Sequence, residues 1–255
     1  MQVIAITQQK GGTGKTTTAQ QIGAGLARNG KRVLFVDLDP QANLSYIMGA
    51  DLNGGTIVDV LNGKVKPQQI TQTINPDTLP GLGSAAIIPA SPYLAGADAT
   101  ITGDRREYRI ADAIKPLAAM YDYCIIDTPP ALGILTVNAL AAADSVVIPC
   151  LPDVFSIQAT AQITDTINGV RQTCNPRLKI AGILITKYTP RQNLTKNITA
   201  ILEDAAQQIG TRLLKTRIRE SVSLREAQAM GKDVFTYSPR SNGAADYEAL
   251  IQEIL

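Results

Sequence analysis

The sequence predicts an α/β fold in which a mostly parallel, twisted sheet is covered by helices on both faces. The chain has 255 residues, of which 45% are apolar, enough for one domain with a substantial core. Short apolar runs alternate with longer amphipathic segments, the order expected when each strand is followed by a crossover helix. Several runs are apolar at consecutive positions, as strands buried on both faces are. We therefore expect a single domain over residues 1–255.

Strands and helices are expected to alternate along the chain. The runs predicted as strands span residues 3–6, 33–36, 87–88, 124–126, 146–148 and 180–185. The segments with helical spacing span residues 16–28, 105–120, 134–143, 156–171 and 194–209, and a last helix covers roughly 244–255. Stretches with Gly and Pro near residues 49–55 and 75–84 are predicted loops. Because parallel strands point the same way, their carboxyl ends are expected at one edge of the sheet.

A glycine-rich segment lies between the first predicted strand and the first predicted helix. It reads Gln-Lys-Gly-Gly-Thr-Gly-Lys-Thr-Thr over residues 9–17, in the context that a P-loop requires. Glycines let successive backbone NH groups turn towards phosphate oxygens, and the helix N-terminus adds partial positive charge. Lys15 is expected to reach the β- and γ-phosphates, and the Thr16 hydroxyl to coordinate Mg²⁺. The predicted nucleotide-binding residues are Lys10, Gly11, Gly12, Thr13, Gly14, Lys15, Thr16, Thr17 and, from a later strand, Asp127.

The segment differs from the usual P-loop at its start. Gln9 stands where that motif begins with Gly, and Lys10 adds a second lysine to the loop. Lys10 cannot easily fold back onto phosphates already held by Lys15. The nucleotide of a second subunit is therefore its natural target.

Two further predicted strands end in aspartates. Asp37 and Asp39 follow the apolar run 33–36, and Asp127 follows the run 124–126. Open α/β sheets bind ligands at the carboxyl ends of their strands, which places these carboxylates beside the glycine-rich loop. Mg²⁺ prefers few carboxylates and several waters, so Asp127 together with Thr16 suits it. For Asp37 alone, a role as a helix or turn cap stays open.

Composition removes several kinds of chemistry. The chain has no histidine, which excludes imidazole acid–base catalysis, His-based metal sites and Ser-His or Cys-His nucleophile pairs. Cys124, Cys150 and Cys174 are widely spaced and form no CxxC motif, so we expect reduced thiols rather than zinc or an iron–sulfur cluster. No signal peptide is predicted, and the longest apolar stretch, 131–151, is broken by polar residues and a proline. We expect a cytoplasmic protein.

Charge is distributed unevenly. The formal net charge is only +2, from 24 Lys and Arg against 22 Asp and Glu. Residues 171–240 nevertheless contain 13 basic and 5 acidic residues, whereas the rest of the chain is acidic. Such a basic segment is a candidate for contact with nucleic acid, although a solvated charged face stays open.

These motifs together resemble the deviant Walker A ATPases, the family that includes ParA, MinD and the nitrogenase iron protein. Gln8-Gln9 before Lys10, the run 37–43 and the tail 237–244 are similar to the small ParA/Soj class, which lacks an N-terminal helix-turn-helix extension. The resemblance implies that Lys10 contacts the partner's ATP in a dimer and that Asp39 orients or activates the attacking water. It implies that Asp127 holds Mg²⁺ through water. The implied catalytic residues are Lys10, Lys15 and Asp39, and the implied metal-site residues are Thr16, Asp39 and Asp127.

The resemblance also implies a cycle on DNA. An ATP-bound sandwich homodimer binds double-stranded DNA without sequence preference, a ParB-type centromere-binding protein stimulates hydrolysis, and the ADP form leaves the nucleoid. Expected DNA contacts are Lys187, Arg191, Lys196, Lys215, Arg217, Arg219 and Arg225. Arg219 is displaced by one position from the familiar Ile-Pro-Arg pattern, because this chain has Ile-Arg-Glu over 218–220. The resemblance also implies that Thr186 and the turn 237–239 contact the adenine.

Three other functions stay open. A MinD-like ATPase positions itself on a membrane through a basic amphipathic last helix, but the last predicted helix here has Asp246, Glu248 and Glu253 and no Lys or Arg. A metabolic P-loop enzyme would need a substrate pocket with further catalytic residues. A ParA-like ATPase could instead position a protein cargo, which the sequence does not separate from DNA partition.

Overall fold

Eight strands form one sheet in the computed structural model of the protein, which describes residues 1–76, 79–190 and 193–255, with side chains described outside 193–196. The strands are β1 (Gln2–Ile6), β2 (Val33–Asp37), β3 (Gln72–Thr73), β4 (Ala85–Ile88), β5 (Tyr123–Asp127), β6 (Ser145–Cys150), β7 (Lys179–Tyr188) and β8 (Leu213–Arg219). Their order is β3-β4-β2-β5-β1-β6-β7-β8. All neighbours pair in parallel except β3, which is antiparallel to β4. The parallel strands therefore end at one common edge.

Helices cover both faces of this sheet. They are α1 (Lys15–Arg28), α2 (Asn43–Ile47), α3 (Ile57–Leu61), α4 (Pro67–Ile70), α5 (Ala97–Thr100), α6 (Arg109–Ile114), α7 (Ile134–Ala142), α8 (Val154–Thr173), α9 (Asn193–Gln208), α10 (Val222–Ala229), α11 (Val234–Tyr237) and α12 (Asn242–Ile254). The predicted α/β fold, with a mostly parallel sheet and helices on both faces, is confirmed. Among the described residues no helix is long and apolar enough to cross a membrane.

Two apolar cores lie on opposite faces of the sheet. Successive residues of β5 alternate between them, with Ile125 in the core under α1 and α12, and Ile126 in the core under α7 and α8. The packing of α1 against β2 is close, because a Cβ at Gly23 would lie 2.2 Å from the Phe35 ring. This close approach fixes α1, and with it the loop that precedes α1.

One predicted helix is interrupted. The sequence predicts a helix over 105–120, but α6 covers only Arg109–Ile114, between the 3₁₀ turns Arg106–Tyr108 and Lys115–Leu117. Arg105 has a φ of +59°, which a right-handed helix does not contain. Pro116 lacks the NH that would continue α6.

The strand β8 and the helices α10 and α11 were not predicted. Within β8, Leu214 and Ile218 are buried while Lys215 is exposed, so the strand has the alternation of an edge strand. Its basic residues obscure this pattern, because consecutive apolar residues are the signal that predicts the other strands.

The last helix, α12, lies along β8 and supplies carboxylates to its free edge. The Glu253 carboxylate accepts hydrogen bonds from the backbone NH groups of Lys215 (2.7 Å) and Thr216 (2.8 Å). Asp246 accepts the backbone NH of Arg219 at 2.9 Å. An edge strand presents unpaired NH groups, and these acidic residues satisfy three of them.

Candidate nucleotide-binding site

The glycine-rich loop joins β1 to α1 at the edge where the parallel strands end. Gly12 and Gly14 have φ of +73° and +85°, left-handed conformations that glycine adopts readily and other residues rarely. Gly14 is the N-cap of α1 and has no side chain, which leaves the first-turn NH groups available for an anion.

Thr186, at the end of β7, holds the loop in place. Its hydroxyl donates to the carbonyl of Thr13 at 2.8 Å and also lies 3.1 Å from the carbonyl of Cys150. A Cβ at Gly14 would contact the Thr186 side chain. Thr186 is buried and its hydroxyl is bound to backbone carbonyls, while its side chain also lines the cavity at this edge of the sheet. The adenine contact that the resemblance implies for Thr186 stays a prediction.

A cavity of about 450 Å³ opens at this edge. Gly11, Gly12, Gly14, Lys15, Thr16 and Thr17 line it from the loop and α1, Asp39 lines it from the segment after β2, and Ile218 to Ser221, Leu224 and Gln228 line its far end. The structure thus brings most of the predicted phosphate-site residues to one cavity. The turn 237–239 is not among its described lining residues, and Tyr237 instead donates its hydroxyl to Glu226 at 3.3 Å.

Asp127 and Asp37 end neighbouring strands and stand in register. Both are fully buried. Neither carboxylate oxygen of Asp127 has a hydrogen-bond partner among the described residues. Burial raises the pKa of Asp127 well above its ordinary value and the charge of Asp37 adds to the rise, while the nearby Thr16 hydroxyl and the charge of Lys15 oppose it. Such an orphaned carboxylate is suited to a cation that is supplied from outside the chain.

Asp37 is fully used inside the protein. Its carboxylate accepts the Ser45 backbone NH (2.8 Å), the Ser45 hydroxyl (2.7 Å) and the Asp39 NH (3.0 Å). Burial raises the pKa of Asp37 to about 6, against the lowering effect of these hydrogen bonds. The sequence leaves open whether Asp37 acts in the site or caps a helix or turn. Its contacts fit the cap, because Asp37 holds the start of α2 and the segment that carries Asp39.

Lys15 lies among these carboxylates. It is buried, and its ammonium is 3.4 Å from the Lys10 carbonyl, which accepts from it. Burial lowers the pKa of Lys15, while the charges of Asp127 and Asp39 oppose that fall. The residues present therefore fit a magnesium nucleotide. Loop NH groups and Lys15 suit phosphate oxygens, and Thr16, Asp39 and Asp127 suit Mg²⁺ and its waters.

Lys10 is not among the described residues that line this cavity. Its ammonium pairs with Asp153, at 2.7 Å from Oδ1 and 2.5 Å from Oδ2, and lies 5.6 Å from the centre of the Phe155 ring. Although burial alone raises it, the pKa of Asp153 is lowered by Lys10 and by the Ser156 NH that Asp153 caps. The second lysine of the loop thus contacts the N-cap of α8 and lies outside the described lining of its own nucleotide cavity.

The basic residues expected at DNA differ in how free they are. Lys187 and Lys215 are exposed, and Arg217 lies over the Tyr188 ring at 6.0 Å. Arg225 pairs with Glu220 at 3.4 Å, whereas Arg219 holds Asp246 through both ends of its guanidinium, with a shortest distance of 2.6 Å. Hydrogen bonding with Asp246 raises the pKa of Arg219. Arg191 and the side chain of Lys196 lie outside the described residues.

Fold and site together define a class. A glycine-rich loop between a strand and a helix, followed by Lys and Thr and faced by an unpaired carboxylate on a neighbouring parallel strand, is the site of a P-loop ATPase. A family model described as an AAA domain matches residues 1–180. The chain is 40% identical over 256 residues to the sporulation initiation inhibitor protein Soj of Bacillus subtilis, covering 99% of this chain and 97% of that protein.

Two further comparisons agree. The chromosome partitioning protein ParA of Myxococcus xanthus is 39% identical over 99% of this chain and 87% of that protein. The structure of cobyrinic acid a,c-diamide synthase from Mycobacterium smegmatis, with a bound ATP analogue and magnesium, superposes with a TM-score of 0.83 at 32% identity, covering 99% of this chain and 93% of that one. The chain belongs to the ParA/Soj family of ATPases. It uses ATP and Mg²⁺.

Proposed function

We propose that this ATPase partitions DNA, with an ATP-bound homodimer that binds duplex DNA without sequence preference. A ParB-type centromere-binding protein is the proposed activator of hydrolysis, and the nucleoid the proposed location. The observation that carries the proposal is the placement of Lys10 outside its own nucleotide cavity, in a chain similar over nearly its whole length to partition proteins. A lysine so placed serves a partner's nucleotide, and hydrolysis then depends on assembly.

The geometry supports a proposed division of roles among the site residues. The loop NH groups and Lys15 bind and orient the phosphates of ATP, and Thr16 and Asp127 hold Mg²⁺, which neutralises charge on the phosphates. Asp39, fixed by Asp37, orients the attacking water. Lys10 of the second subunit adds positive charge where negative charge develops. We propose residues 1–255 as one ATPase domain whose own surface contacts DNA.

We propose Lys187, Lys215, Arg217 and Arg225 as DNA contacts, together with Arg191 and Lys196. Arg219 is the least suitable of the expected DNA contacts, because the buried Asp246 carboxylate already neutralises its charge. Its pairing with α12 supports a role in holding β8 to α12 instead. This agrees with its displacement from the familiar sequence pattern.

A biosynthetic P-loop enzyme is the second candidate, because one structural neighbour is named as a synthase. A reaction that yields only ADP and phosphate, stimulated by DNA with a partner protein, would decide for partition. Binding of the ATP form to anionic vesicles would favour a MinD-like function. Stimulation of hydrolysis by a protein cargo alone would favour a ParA-like ATPase that positions that cargo.

Three variants test the proposal against Lys64→Ala as control, an exposed lysine that is not among the described residues that line the cavity. Lys15→Ala should lose ATP binding, whereas Lys10→Ala should keep ATP binding, lose hydrolysis and dimerise more weakly. Asp39→Ala should bind ATP, dimerise and stay on DNA. Equilibrium ATP binding, light scattering and phosphate release measure these steps. Normal hydrolysis by Lys10→Ala would overturn the role of the second subunit.

A further inference from the structure

Described basic residues of 171–240 are found at both ends of strands β7 and β8. Lys187 and Arg219 lie at the carboxyl ends of β7 and β8, beside the nucleotide cavity. Arg177 and Lys179 lie at the amino end of β7, and Arg212 directly precedes β8. Since β7 has ten residues, at about 3.3 Å each, the two ends are about 30 Å apart. One basic surface at the nucleotide site therefore does not account for the whole segment.

Four basic side chains form what we call the rear surface, namely Arg171, Arg177, Lys179 and Arg212. Hydrogen bonds show that they are contiguous. Arg171 donates to the Leu178 carbonyl at 2.8 Å, next to Lys179, and Arg212 donates to the Ala181 carbonyl at 3.1 Å, two residues further along β7. Arg171, Arg177 and Lys179 also line one concave region of about 750 Å³ together with Gln2 and Ser145.

The charge of the rear surface is offset only in part inside the protein, because the Glu253 carboxylate lies near Arg212 and Asp144 lies in the concave region. None of its four basic side chains forms an ion pair with a described residue, whereas Arg32, Arg105 and Arg219 each do. The one carboxylate in the concave region, Asp144, accepts the backbone NH of Val3 at 2.8 Å. The guanidinium groups of Arg171 and Arg212 are held by backbone carbonyls, which limits the entropy that they would lose on binding an anion.

We infer that the rear surface is a second binding surface for duplex DNA, separate from the one proposed beside the nucleotide. The choice of DNA as the polyanion rests on the proposed function. Lipid fits less well, because no exposed large apolar side chain lines the concave region among the described residues, and interfacial binding requires such side chains. In the proposed dimer the nucleotide ends face each other, so two rear surfaces point outwards and can bridge two duplexes.

The test compares two double variants of the full chain with the same change in charge. Arg177→Glu/Lys179→Glu alters the rear surface, and Lys64→Glu/Lys66→Glu alters exposed lysines elsewhere. Binding to a mixed-sequence duplex is measured without nucleotide between about 50 and 200 mM salt, and bridging of two labelled duplexes with ATP. The rear variant should bind at least about tenfold more weakly at low salt, with a salt slope smaller by about 2, and should not bridge. The control should behave as wild type.

Several outcomes would overturn the inference. They are equal losses in both double variants, no loss in either, no nucleotide-free binding by wild type at low salt, or binding of the rear residues to anionic vesicles instead of DNA. Thermal unfolding shows whether each variant is folded. If Arg177→Glu/Lys179→Glu is unfolded, Arg177→Ala/Lys179→Ala replaces it in the comparison. Basal ATP hydrolysis should be unchanged. If ATP fails to strengthen DNA binding by wild type, the proposed function fails, while the nucleotide-free comparison still decides on the rear surface.

Discussion

At the scale of single residues, Asp127 carries a cost that its proposed ligand removes. A buried carboxylate without a partner, beside a second buried carboxylate, destabilises the protein that lacks a cation. Its position is explained by the site rather than by the fold, since the fold has no use for either oxygen. The same reasoning separates it from Asp37, whose oxygens bind Ser45 and Asp39.

Asp127→Asn should therefore stabilise the nucleotide-free protein, by about 1 to 2 kcal/mol, because a neutral amide cannot take on the charge that burial and Asp37 disfavour. The gain should grow with pH, because the raised pKa of Asp127 keeps its carboxyl protonated at lower pH. The added stability that Mg²⁺ with ATP gives to wild type should shrink or vanish in this variant. Urea unfolding with and without magnesium nucleotide measures both effects. Asp165→Asn, on the exposed face of α8, is the control. A nucleotide-free variant less stable than wild type, with its magnesium response intact, would contradict this account.

Asp153 combines two roles that substitutions can separate. It caps α8 by accepting the Ser156 NH at 2.9 Å, and it pairs with Lys10. Asp153→Ala should cost about 1 kcal/mol or slightly more, because the cap and the ion pair are both lost. Asp153→Ser should cost less, since serine caps helices well and only the half-exposed ion pair is lost. Equal free energies of unfolding for the two variants would show that the cap contributes nothing.

At the scale of elements, the acidity of α12 has a structural cause. The sequence shows only that the helix lacks the basic residues of a membrane anchor. The structure shows that Asp246 and Glu253 bind backbone NH groups of β8, an edge strand that was not predicted at all. The purpose of these carboxylates was not predictable, because it depends on a strand about 30 residues away in sequence.

Glu253 gives this contact a pH dependence. Although burial alone raises it, the pKa of Glu253 is lowered by the NH groups of Thr216 and Lys215. A lowered pKa in the folded state contributes stability above the unfolded value, about 4.3, which is lost as the pH falls through the folded value. Glu253→Gln should cost about 1 kcal/mol at pH 7 and less towards pH 3. Urea unfolding at both pH values measures this, with Glu248→Gln as control, and a constant difference would refute it.

At the scale of the whole molecule, the sequence predicted the order of the central elements and the edge of the sheet where the site lies. Those predictions rest on local patterns, namely apolar runs and a glycine-rich loop between a strand and a helix. Thr186 hydrogen-bonds to the glycine-rich loop and Arg219 pairs with Asp246. Both contacts join residues far apart in sequence, so no local pattern predicts them. The split of the basic segment between two ends of β7 likewise depends on strand direction.

Placement of Lys10 outside its own cavity makes a prediction about mixed dimers. Lys10→Ala lacks the lysine that serves the partner, and Asp39→Ala lacks the residue that orients water, so each protein alone should be inactive. In a dimer of one Lys10→Ala and one Asp39→Ala subunit, the first subunit keeps its own Asp39 and receives Lys10 from the second. If the two variants paired at random, half of the dimers would have one complete site of two, so activity should return to at most about a quarter of wild type. Weaker pairing of Lys10→Ala lowers this return without abolishing it.

Phosphate release from equal mixtures of the two variants measures this return. A mixture of Lys10→Ala with the double variant Lys10→Ala/Asp39→Ala is the control, because no subunit there can donate the lysine. A lysine that acted within its own subunit would leave both mixtures inactive, since no chain in either mixture has both residues. Restored activity in the first mixture alone therefore requires that each active site be completed by the other subunit.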